Sequence, residues 1–66
     1  MTFKQYLRTR EMEQSPAGDV ARDVLADRGS PDTFEDLWRH VESQGAPGVV
    51  LEALDELNDG FVRQRT

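Results

Sequence analysis

Carboxylates at helical spacing are the residues with most chemical potential in this 66-residue chain. Glu52, Asp55, Glu56 and Asp59 recur at intervals of three and four. On a helix they fall on the side opposite Val49, Ala53, Leu54 and Leu57, and no base interleaves until Arg63. Such a face can dock a basic partner. It is also what an amphipathic helix presents to water by default. Asp55-x-Leu57-x-Asp59-Gly60 has the outline of a calcium loop but lacks its chemistry. Leu57 occupies a ligand position, and Thr66 stands where a bidentate Glu is required. Asp19 and Asp23, four residues apart, could form a general acid/base pair, yet helix capping and solvation account for them. His40 is the only histidine, and no nucleophile accompanies it at a telling spacing. It reads as a packing or surface residue.

The chain offers no nucleophile–base set, no phosphate-binding glycine loop and no cluster with metal-ligand spacing. It is too short to enclose a deep pocket of the ~300–1,000 Å³ usual for ligands. The expectation is a non-enzymatic protein with no cofactor and no metal. Thirteen acids against eight bases give a net charge of −5, the reverse of the balance usual in a nucleic-acid-binding domain. Lys4, Arg8, Arg10, Arg63 and Arg65 form the one basic cluster that can be assembled, and only if the two chain ends meet. There they could touch phosphate.

No cysteine is present, which fits a reducing compartment and rules out disulfides. The opening Met1-Thr2-Phe3-Lys4-Gln5 lacks the apolar run of a signal peptide, and no segment nears the ~20 apolar residues of a membrane span. These features predict a soluble, cytoplasmic protein. At 36% hydrophobic and 32% charged, with periodic apolar residues, the composition is that of a folded domain. A chain this size buries only ~60% of its unfolded surface, so it depends on good caps, good packing or a partner.

The elements that must position these residues are helices. The first spans 2–10, with Thr2 as its cap and Phe3, Tyr6, Leu7 and Arg10 on one face. Ser15 caps the second, Pro16 takes its first position, and Asp19 favours its dipole. Ala17, Val20, Ala21, Val24 and Leu25 give that helix an apolar face to about Arg28, and Gly29 is its natural left-handed stop. A turn at Ser30-Pro31-Asp32-Thr33 opens the third helix, capped either by Asp32 with Glu35 or by Thr33 with Asp36. Its core face is Phe34, Leu37, Trp38 and Val41, with Glu35 and Arg39 as an i, i+4 ion pair. Phe34 and Trp38 read as core aromatics; the rival is an exposed aromatic anchor for a partner. Gly45 ends this helix, and Pro47 opens the fourth, which carries Val49, Val50, Ala53, Leu54, Leu57 and Phe61 and is weakened by Gly60. Residues 1–66 make one domain, folded over 1–62 with a frayed tail at 63–66. The predicted core is Phe3, Leu7, Val20, Val24, Leu25, Phe34, Leu37, Trp38, Val41, Leu54 and Leu57.

The fold class expected is an all-α, compact four-helix bundle. Phe3-x-x-Tyr6-Leu7, Ser15-Pro16-x-Gly18-Asp19-x-Ala21-x-Asp23, Asp27 before Pro31, Leu37 with Val41, Gly45-Ala46 and Ala53-Leu54 resemble the YozE-like family of small bacterial proteins. The distinctive part is Ser15 to Asp23. Asn58 stands where that family tends to carry a Trp, while Phe61 keeps the aromatic that follows it. The resemblance implies a fold similar to the sterile alpha motif, a bacterial or phage setting and a binding role, and it brings no catalytic residues. The expected function is a small protein-interaction module docking a basic partner through Glu52, Asp55, Glu56 and Asp59. The alternatives are a nucleic-acid-binding accessory protein using the basic ends, and an acidic DNA mimic that inhibits a DNA-binding protein.

Overall fold

Short polar residues start each of the first three helices of the computed structural model, which describes residues 1–65. Helix α1 is Phe3–Arg10, α2 is Pro16–Ala26, α3 is Phe34–Ser43 and α4 is Gly48–Arg65. Thr2 and Gln5 form a reciprocal capping box: the Gln5 N–H donates to Thr2 Oγ1 at 3.1 Å, and the Thr2 N–H to Gln5 Oε1 at 2.8 Å. Ser15 Oγ accepts from the Gly18 N–H at 3.2 Å, with Pro16 opening α2. A cap of this kind contributes ~0.5–2 kcal/mol. Of the two registers open for α3, the chain uses Thr33, whose hydroxyl accepts from the Asp36 N–H at 3.3 Å.

Two helix ends differ from expectation. Helix α2 stops at Ala26, short of Arg28, and Gly29 is not left-handed. Asp27 turns the chain instead: its own backbone is extended, and its carboxylate accepts from the Gly29 N–H at 3.0 Å. The left-handed glycine is Gly45, with φ 75°, just beyond α3. At the other end, α4 continues through Arg65, so 63–65 are helical where fraying was expected; Thr66 lies outside the described residues.

Helix α2 lies at the centre of the packing, with its largest interfaces against α4 and α1; α3 packs chiefly on α4. The result is an all-α four-helix bundle. Its core is Phe3, Tyr6, Leu7, Ala17, Val20, Ala21, Val24, Leu37, Ala53, Leu54 and Leu57. Leu25, Phe34, Trp38 and Val41 were expected there and are only partly buried. For Phe34, Trp38 and Val41 the reason is the position of α3 at the side of the bundle, where Leu37 is its one fully buried residue. Tyr6 and the alanines of α2 and α4 take the vacated role, letting those helices approach closely. Val49 is 58% exposed, because α4 begins beyond the edge of the core.

All five aromatic residues touch in one ladder. Trp38 meets Phe34 at 5.8 Å between ring centroids, Phe34 meets Phe3 at 5.8 Å, Phe3 meets Phe61 at 5.4 Å, and Phe61 meets Tyr6 at 5.8 Å. The geometries are edge-on or tilted, each worth ~0.5–1.5 kcal/mol beyond burial. Two glycines permit close approaches. A Cβ at Gly60 would overlap the Tyr6 hydroxyl, and one at Gly18 would overlap the backbone carbonyl of Glu13.

Leu54 is fully buried. Leu54→Ala should therefore lower stability by ~2–5 kcal/mol, read from the urea midpoint; an unmoved midpoint would contradict the packing of α4. Gly18→Ala sets two effects against each other. Alanine improves helix propensity by up to ~1 kcal/mol. Overlap with a backbone carbonyl that cannot swing away costs ~1–3 kcal/mol. The net expectation is destabilisation, visible as a lower thermal midpoint.

Candidate functional site

The turn between α1 and α2 holds the densest charge network. Arg10 binds the Glu13 carboxylate through two nitrogens, with Nη2 to Oε1 at 3.0 Å, and its Nη1 donates to Tyr6 Oη at 2.6 Å. The guanidinium also lies 5.8 Å from the Tyr6 ring centroid. Arg22 donates to the carbonyls of Glu11 and Glu13 and pairs with Asp19. The Arg10 hydrogen bond holds the Glu13 carboxyl below its ordinary pKa, and the same bond pushes Arg10 up. These groups brace the turn between α1 and α2.

The two chain ends meet, as Arg65 lines a groove together with Thr2 and Phe3. Most of their basic residues are occupied. Lys4 Nζ donates to the Ser30 carbonyl at 2.8 Å and sits 3.4 Å from Asp32. Arg10 is bound to Glu13, Arg65 lies 5.6 Å from the Phe61 ring centroid, and Arg63 is engaged as well. Arg8 is exposed.

The acidic set behaves differently. Glu52, Asp55, Glu56 and Asp59 are all exposed, and none makes a hydrogen bond or ion pair with another described residue. Glu52, Glu56 and Asp59 share the outer face of α4. Asp55 stands at the edge of that face, about 40° of helix rotation from Asp59 and about 60° from Glu52, and lines a groove against α3. That groove, about 330 Å³, is lined by Phe34, Glu35, Trp38, Arg39 and Asp55. It adjoins a second lobe of about 610 Å³ that shares Phe34 and Glu35 and includes Phe61 and Val62. Both lobes are open surface grooves rather than a deep, enclosed pocket. Glu35 and Arg39 both line it, yet the ion pair expected between them is absent among the described residues.

The remaining candidates have structural roles. His40 Nε2 lies 3.5 Å from Asp27 Oδ2 and 3.4 Å from Gln44 Nε2, linking α3 to the end of α2. Asp19 is paired with Arg22, and Asp23 is exposed with its carbonyl bonded to the Asp27 N–H. The segment from Asp55 to Gly60 is continuous helix with Leu57 buried, so it forms no loop. Among the described residues no three His, Asp or Glu side chains converge on a possible metal position, and no helix is long and apolar enough to cross a membrane.

The sequence hid the groove because Phe34 and Trp38 lie on the apolar arc of α3 and read as core. One signal was available: tryptophan is rarely buried completely, least of all in so small a domain. The bundle is thus a small all-α domain with an aromatic groove and an acidic helix face. No protein-family model, curated protein or solved structure matches this chain.

The sign of the Glu13 shift sets an acid dependence. A folded-state pKa below the unfolded one contributes stability at neutral pH that is lost as pH falls from about 5 through the depressed value. Urea midpoints measured down to about pH 3 should fall less steeply in Glu13→Gln than in wild type. Parallel slopes would show that the Arg10–Glu13 bond does not couple to folding.

Proposed function

We propose that this chain is a non-enzymatic protein-interaction module that docks a basic partner through α4. The observation carrying this reading is the contrast in how its charges are used. Lys4, Arg10, Arg22 and Arg65 are bound internally, whereas the carboxylates of Glu52, Asp55, Glu56 and Asp59 are exposed with no partner among the described residues. Exposed carboxylates along one helix raise the local concentration of a basic partner and orient its approach. The same contrast weighs against phosphate binding by Lys4, Arg8, Arg10, Arg63 and Arg65, since several of these would first have to leave intramolecular partners. The likeness to YozE-like proteins supports a binding role at fold level only. The reading places the protein in a bacterial or phage cytoplasm, in line with its lack of cysteine.

A pull-down from the native host with mass-spectrometric identification supplies the partner for the test. Reversal of Glu52, Asp55 and Glu56 to Lys should then abolish binding in a direct titration. Each change should alter stability by no more than about ±0.5 kcal/mol, because these side chains point away from the core. Added salt should weaken the wild-type complex, as exposed charges are screened beyond ~8 Å at physiological ionic strength. Unchanged affinity in the triple variant, with its helical circular dichroism intact, would refute docking through α4. Competition by duplex DNA for the same partner would identify the protein as a DNA mimic.

A further inference from the structure

The aromatic ladder is treated differently at its two ends. At one end the chain supplies its own cations: Arg65 lies 5.6 Å from the Phe61 ring centroid and Arg10 lies 5.8 Å from that of Tyr6. At the other end is Trp38, and no guanidinium or ammonium sits over its ring among the described residues. Tryptophan is the strongest cation binder of the aromatic side chains. The end of the ladder best suited to a cation is the one the protein leaves open.

The surroundings have the matching charge. Glu35 borders the Trp38 groove from α3 and Asp55 borders it from α4. Neither carboxylate is hydrogen-bonded or ion-paired within the described chain. Arg39 also lines the groove, but it leaves Glu35 unpaired, and one guanidinium against two carboxylates keeps the site net negative. The adjoining lobe is apolar where it meets Phe34, Phe61 and Val62. Beyond the α4 bank lie Glu52 and Asp59, which continue the negative surface.

We propose that the α3–α4 groove at Trp38 anchors an arginine or lysine side chain from a short segment of a partner protein, with an apolar neighbour of that residue seated against Phe34, Phe61 and Val62. The cation stacks on Trp38 between Glu35 and Asp55, where a cation–π contact and two charge-assisted hydrogen bonds act on one group. The proposal rests on the reading of α4 as a docking surface for a basic partner, and it adds the residue chemistry that the partner must present.

Trp38 is the only tryptophan, so its fluorescence reports on the groove without a label. A library of short random peptides displayed on phage and panned on the immobilised protein gives an unbiased probe. Selected sequences should carry Arg or Lys beside an apolar residue. A synthetic consensus peptide without Trp should shift Trp38 emission and protect it from acrylamide. The same peptide with citrulline for its conserved Arg, or norleucine for its conserved Lys, keeps much of the side-chain bulk without the charge. It should bind roughly tenfold more weakly, a loss of ~1.4 kcal/mol. Glu35→Lys should cause a similar loss, and Asp55→Asn a smaller one. Reversal of Glu52, Glu56 and Asp59 to Lys should weaken binding without removing the Trp38 response. Cationic peptides that bind without altering Trp38, are indifferent to Glu35→Lys and are lost on reversal of Glu52, Glu56 and Asp59 would overturn the groove while sparing the acidic face. Selection of peptides with no cationic residue would overturn both.

Discussion

The hydroxyl of Tyr6 rests against the backbone of Gly60, and this contact joins the first and last helices. It requires an absent side chain on α4, since any Cβ at Gly60 would overlap the phenol. The phenol is held in place by Arg10, and Arg10 is held by Glu13. Tyr6 is only 3% exposed, so its ring has little room to retreat. From that point Phe61 and Phe3 carry the contact outward to Phe34 and Trp38. The groove aromatics and this backbone approach thus lie at opposite ends of one continuous run of ring contacts.

Charge is divided by location. Around the α1–α2 turn, acids and bases satisfy one another and the carbonyls of the turn. Surface pairs of this kind contribute little individually and matter mainly as a bracing network. On α3 and α4 the carboxylates of Glu35, Glu52, Asp55, Glu56 and Asp59 lack such partners among the described residues. A surface left in that condition retains the capacity to recognise an opposite charge, because binding need not first break an internal bond. The same residue types therefore brace one end of the molecule and remain available at the other.

Much of this architecture was legible in the sequence where local chemistry decides the outcome. Thr2 and Ser15 cap the helices they were expected to cap, and Gly45 turns the chain beyond α3. Leu7, Leu37, Leu54 and Leu57 are buried as their spacing required. Failures came where the answer depends on which helix lies opposite. Periodicity identifies the apolar arc of α3, but only tertiary placement shows that Leu37 is covered and that Phe34 and Trp38 are half open. Gly60 looked like a weak point in a helix because its partner Tyr6 is remote in sequence. Gly18 looked like part of a helix-start motif, whereas the structure adds a steric reason in the Glu13 carbonyl. The acidic residues of α4 were visible, but that Asp55, at one edge of their arc, also borders a groove needed the position of α3.

Phe3 and Phe61 touch across nearly the full length of the described chain. Contacts so distant in sequence form late, after local helices and neighbouring pairs have assembled. During synthesis, α1 and α2 can pair as soon as both have emerged, yet α4 supplies the most extensive cover for α2. Until α4 clears the ribosomal exit tunnel, apolar residues that face it lie open to water. A nascent chain halted before that point would present them to chaperones or to other incomplete chains. The joining of α1 and α4 therefore makes the docking of α4 the step that closes the core over α2.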